Sequence, residues 1–69
     1  MINTIGHNLR ILRFKKNLTQ SQAAQGLGIS VNTLGKYENN KCFPQKEFIQ
    51  KAAKFYEVGI EDILIGENL

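Results

Sequence analysis

"LTQSQAAQGLGISVNTLGKYENN", Leu18 to Asn40, holds two short helical patterns with almost nothing between them. Thr19 is a good N-cap and Gln22 stands three residues on, the pattern of a capping box; Leu18 ahead of the cap can pack on Ala23 as a hydrophobic staple. This helix is expected to end near Gly28, a residue suited to positive φ. Ser30 caps the next helix, with Ile29 and Leu34 as its staple, and that helix runs to about Glu38. Asn39 or Asn40 then tolerates the left-handed conformation. Only Leu27, Gly28 and Ile29 separate the two helices. So short a link around a glycine holds them at a steep angle, which is the helix-turn-helix unit, here about residues 19–38.

Ile29, Leu34 and Tyr37 pin the second of these helices from behind. Val31, Asn32, Gly35, Lys36 and Asn39 then face outward, with Thr33 at the border. In DNA-binding helix-turn-helix units the second helix enters the major groove while the first crosses the phosphate backbone. The outward residues have the chemistry to read base edges. Asn pairs with adenine, Lys donates to guanine, and Val31 methyls match a thymine methyl. An ordinary solvated face would carry mixed charge and good helix formers, whereas Val, Asn and Gly are poor ones. Gly35 costs about 1 kcal/mol relative to alanine. Its missing side chain reads as clearance that lets the backbone approach DNA; the alternative is a glycine that is merely tolerated.

The rest of the chain is helical too. Ile5, Leu9 and Leu12 make an apolar stripe on a helix from about Thr4 to Lys16, closed by Lys15, Lys16 and Asn17. A fourth helix is expected from Pro44, which favours the first helical position, to about Tyr56. "VGIEDILIG" reads as a short fifth, with Glu61 and Asp62 in its first turn. No strand alternation appears, and 69 residues make one domain, so the fold class is an all-α bundle of five helices. Residues 1–56 carry nine Lys and Arg against Glu38 and Glu47, while residues 57–69 carry four acids and no base. A basic body with an acidic end points to a polyanionic partner on one side.

Other classes find little support. His7 and Cys42 are too few for a metal site of four ligands, and no cofactor or small-molecule ligand is indicated. His7 has no nucleophile or carboxylate arranged around it, and "GLG" in a helix-helix turn is not a nucleotide motif, so an enzyme is not expected. No apolar run approaches the roughly 18 residues that span a bilayer. The scattered cations disfavour a membrane-surface helix, and "MINTIGHNLR" lacks the pattern of a signal peptide. A soluble, cytoplasmic protein is the expectation.

The quoted stretch resembles the Cro/repressor-type, or XRE-like, helix-turn-helix family, whose pattern runs Leu-Thr-Gln, an Ala-rich helix, Leu-Gly-hydrophobic-Ser and a Tyr-Glu-Asn ending. "NLRILRFKKNLTQ" is similar to that family's first helix, and "FPQKEFIQKAAKFYEVGIEDIL" to its fourth and fifth, so the likeness covers about residues 5–65. It implies a lambda-repressor-like five-helix DNA-binding bundle that acts as a small phage- or plasmid-type repressor. It further implies an ion pair between Arg13 and Glu38, a phosphate contact from Gln20, and base contacts from Val31, Asn32 and Lys36. Ser30 and Thr33 would lie near backbone or bases, and Asn39, Lys41 and Lys46 would hold phosphates. Asn40 stands where the family usually has glycine, Ala23 where a larger apolar residue is common, and Gly59 where serine usually caps the last helix. Looser packing at Ala23 and a weaker start at Gly59 are expected.

One module of this size buries little surface, so a homodimer on a palindromic operator is expected. Ile60, Ile63, Leu64, Ile65 and Leu69 exceed what one short helix buries inward and are the candidate interface; closing the core is their alternative use. Two other readings stay open on the same fold, an antitoxin and a protein–protein interaction module.

Overall fold

In the computed structural model, which describes residues 4–66, polar caps start the first three helices. Thr4 Oγ1 accepts from His7 N–H and opens α1, Ile5–Lys15. Thr19 and Gln22 form both bonds of the capping box, 3.1 and 2.9 Å, and open α2, Gln20–Leu27. Ser30 Oγ accepts from Thr33 N–H and opens α3, Val31–Glu38. α4 is Lys46–Tyr56 and α5 is Ile60–Leu64; among the described residues there is no strand. Gly59 has no side chain to cap α5, but Asp62 reaches back and accepts from Gly59 N–H at 3.1 Å, so the helix start keeps half of a capping box.

Left-handed residues follow the helix ends. Gly28 (φ 72°) closes α2, and the N–H groups of Gly28 and Ile29 return to the Gln25 and Ala24 carbonyls. Asn17 (φ 56°) follows α1 and Asn40 (φ 61°) follows α3. Glu57 (φ 60°) ends α4, a position at which the sequence carries no Gly or Asn.

α3 packs on α1 and α2, α2 also meets α4, and α5 closes against α1 and α4. Leu9, Leu12, Ala23, Ala24, Leu27, Leu34, Ile49, Ala52, Ala53, Tyr56 and Ile63 form the core. Each fully buried Leu or Ile contributes on the order of 1.5–3 kcal/mol of transfer free energy. Ala23 is fully buried. The smaller side chain does not open this position to solvent.

Two expectations change. α4 does not begin at Pro44: Gln45 is extended (ψ 166°) and takes the N-cap position without a side-chain bond, while Pro44 is buried in the incoming loop. Ile63 is fully buried and belongs to the core, so it cannot serve an exposed dimer surface. Periodicity in a five-residue helix could not separate inward from outward isoleucines. Ile60, Leu64 and Ile65 remain exposed at 38, 45 and 54%. Leu69 lies outside the described residues.

Candidate nucleic-acid interface

α3 buries Leu34 and Glu38, one turn apart, and rests Tyr37 on Phe48 with ring centroids 4.8 Å apart. That anchoring turns Val31, Asn32, Lys36 and Asn39 to solvent. With Gln20, Gly35 and Lys41 they line a shallow notch of about 480 Å³ that contains no acid. Gly35 leaves it open: a Cβ built there would have only Gln20 Nε2 nearby, at 4.0 Å. Three predicted residues stand outside the notch. Ser30 and Thr33 hydroxyls lie 2.8 Å apart and share a hydrogen bond at the helix start, and Lys46 is exposed at the start of α4.

A buried charge pair fixes this helix. Arg13 donates through Nε to Glu38 Oε2 at 2.8 Å and through Nη2 to Oε1 at 3.1 Å, with side chains 9 and 0% exposed. Its Nη1 donates to the Leu18 carbonyl, 2.9 Å, so one guanidinium joins α1, the entry to α2 and the end of α3. A paired, desolvated charge of this kind is costly to break but adds little net stability over an apolar substitute. Gln20 Nε2 donates to the same Glu38 Oε1 at 3.1 Å. The chain of contacts therefore runs from the core to the notch. Behind it, burial pushes the Tyr56 phenol up to about 12; the Glu38 charge adds to the shift and Arg13 opposes it.

A second set of contacts holds the far end of α3. Arg10 Nη2 donates to Asn39 Oδ1 at 2.6 Å. The Asn40 side chain accepts from Gly6 N–H at 3.1 Å and donates to Thr4 Oγ1 at 3.0 Å. A Cβ at Gly6 would stand 2.5 Å from the Tyr37 carbonyl oxygen and 2.6 Å from that of Glu38, so α1 and α3 touch backbone to side-chain-free backbone here. Sequence reasoning missed Arg10. Its one signal was position, three residues before Arg13 and hence on the same face of α1.

The arrangement is a two-helix unit clamped to a small core. The helix-turn-helix family pattern matches residues 9–63. The chain belongs to this helix-turn-helix family. The chain spans between about a third and a half of the length of the first curated relatives it matches, which are transcriptional regulators. The helix-turn-helix activator BcrR of Enterococcus faecalis is 41% identical over 61 residues, 88% of this chain but only 30% of BcrR. A helix-turn-helix transcriptional regulator of Methanocaldococcus jannaschii is 40% identical over 62 residues, 90% of this chain and 94% of the relative. The P22 c2 repressor, solved in complex with a synthetic operator, shares the fold at 20% identity. Its TM-score is 0.87 over 94% of this chain and 98% of the other. Among the described residues no helix is long and apolar enough to cross a membrane.

Proposed function

We propose that this helix-turn-helix protein is a sequence-specific transcriptional repressor of the cytoplasm that lays α3 in the major groove of a palindromic operator, one copy on each half-site. The observation that carries the reading is the acid-free notch on α3, where Val31, Asn32, Gly35 and Lys36 converge. Asn32 pairs with an adenine, Lys36 donates to a guanine and Val31 contacts a thymine methyl. Thr33, at the helix border, approaches a base or the sugar edge. Lys41 and Lys46 neutralise phosphates, and Ser30 contacts the backbone beside the helix start. Arg10 holds Asn39 by its oxygen, which leaves the amide N–H groups for a phosphate acceptor.

Half-sites on successive turns lie about 34 Å apart. Each copy extends 28 Å at its longest in Cα positions, a size comparable with that spacing. Ile60, Leu64 and Ile65 supply an exposed apolar surface suited to that contact, beside a groove of about 730 Å³ between α4 and α5.

Selection of binding sites from random DNA tests the reading. The wild-type protein should recover a two-fold symmetric site. Asn32→Ala and Lys36→Ala should each lose preference at one base pair per half-site, on the order of 1–3 kcal/mol. Failure to enrich any sequence, or no binding even at low salt, refutes it.

A further inference from the structure

We propose that Arg10, on α1, binds DNA directly: with Asn39 it seats one backbone phosphate at the C-terminal end of α3. The inference rests on α3 lying in the major groove and adds a contact from a helix outside the helix-turn-helix. Its basis is an unmatched charge. Arg10 Nη2 donates to Asn39 Oδ1 at 2.6 Å and to the Glu38 carbonyl at 3.4 Å, both neutral acceptors. The ion pairs among the described residues are Arg13 with Glu38 and Lys16 with Glu57, so Arg10 has no acid beside it. Arg13, one turn along α1, shows the contrast, since Glu38 meets it through both oxygens.

The free atoms of the pair are donors. Among the described residues, Nε and Nη1 of Arg10 donate to nothing. Asn39 turns its oxygen to Arg10, so the exposed end of its amide is the N–H₂ group. This suits a ligand that is negative and only accepts, a phosphate oxygen. Guanine also accepts, through N7 and O6, and position separates the two. Arg10 reaches α3 at its last residue and its C-cap, Glu38 and Asn39, whereas the N-terminal residues of the second helix of such units meet the bases. Asn39 and Lys41 continue the acid-free notch past Lys36, so the site joins the face already assigned to DNA. Arg10 is half-buried and tied to α3 before DNA arrives, and a cation ordered in advance binds more tightly than one ordered on contact.

The experiment compares wild type with Arg10→Gln and Arg10→Lys, each first checked for a cooperative melt. Two duplexes are used: the operator that wild type selects from random DNA, and a duplex of arbitrary sequence. Arg10→Gln should lower the slope of log affinity against log salt by roughly one per bound copy on both. Arg10→Lys keeps the charge and should keep the slope. Operators carrying a single neutral methylphosphonate linkage then locate the contact. Wild type should weaken roughly tenfold at one linkage per half-site, and Arg10→Gln and Asn39→Ala should both be insensitive there. A measurement on wild type alone stands even if a variant is unstable: the Arg10 Nε–H resonance should shift when the operator binds and shift less with the methylphosphonate at that linkage. A resonance that stays in place, a slope and linkage pattern unchanged by Arg10→Gln, or a loss confined to preference for one guanine overturns the assignment and leaves the repressor reading intact. A wild type that binds DNA without sequence preference overturns that reading instead, and the slopes on the arbitrary duplex still decide for or against Arg10. A wild type that binds no DNA overturns both.

Discussion

The same substitution, glycine to alanine, should have opposite effects at two helical positions of this protein. At Gly35, φ is not in the left-handed region and an added Cβ meets only Gln20 Nε2, at 4.0 Å, an ordinary van der Waals separation. Nothing opposes the gain in helix propensity, about 1 kcal/mol. At this size that gain raises Tm by roughly 4–8 °C. At Gly6 the Cβ would stand 2.5 and 2.6 Å from two backbone carbonyl oxygens of α3 and 2.7 Å from Asn40 Oδ1. Backbone cannot swing aside as a flexible side chain can. Overpacking of this kind costs about 1–3 kcal/mol, and displacing Asn40 also strains its bond from Gly6 N–H. Thermal melts followed by circular dichroism should show Gly35→Ala above wild type and Gly6→Ala below it. A Gly35→Ala protein that melts lower would show that Gly35 serves packing, and the clearance argument would fail. Gly35→Gln completes the series: it should fold, fill the notch, and bind the selected operator at least about tenfold more weakly, the size of one lost base contact.

Glu38→Gln leaves the Arg13 charge buried without its partner and should destabilise the domain by about 3–5 kcal/mol in urea titration; an effect below about 1 kcal/mol would mean that Arg13 finds water instead. Tyr56 gives a pH signature. The unfolded chain releases the phenol proton near 10 and the folded chain near 12, so the folded state holds more protons between these values. Stability should therefore be intact below pH 10 and fall by about 1.4 kcal/mol per unit up to pH 12. Tyr56→Phe should lack that slope, which comparison of the two proteins isolates from lysine titration. Leu64→Lys with Ile65→Lys should leave the melt close to wild type, since both side chains are exposed. It should abolish cooperative filling of two half-sites in sedimentation on operator DNA; unchanged cooperativity would move the pairing surface elsewhere.

Local patterns in the sequence carried the helix-turn-helix well. Thr19 with Gln22, Ser30 and Gly28 act through bonds three or four residues long, so their spacing alone announces them. The ties that orient α3 are different. Arg10 with Asn39, Asn40 with Thr4 and Gly6, and Asn8 with the Ile63 carbonyl join residues 29 to 55 apart. No periodicity encodes such contacts, and a polar Asn8 at a core position even runs against the apolar stripe. α5 shows the other limit. Five residues are too few for a hydrophobic period to distinguish buried Ile63 from exposed Ile60, Leu64 and Ile65. Pro44 is ambiguous in sequence because a proline can start a helix or be buried in the loop before it, and only packing decides between them.

The division of labour on α3 bears on how such a protein changes its target. Leu34 and Glu38 hold the helix, while, among the described residues, the exposed side chains of Val31, Asn32 and Lys36 make no hydrogen bond or ion pair with the fold. Under the proposed reading, those three positions are a replaceable alphabet, open to drift or to a designer at a small cost in stability. Gln20 and Asn39 are not so free, since each is bonded to a charged partner that belongs to the scaffold. A library that varies the first three and holds the other two fixed should yield more folded, operator-selective proteins than one that randomises the whole face.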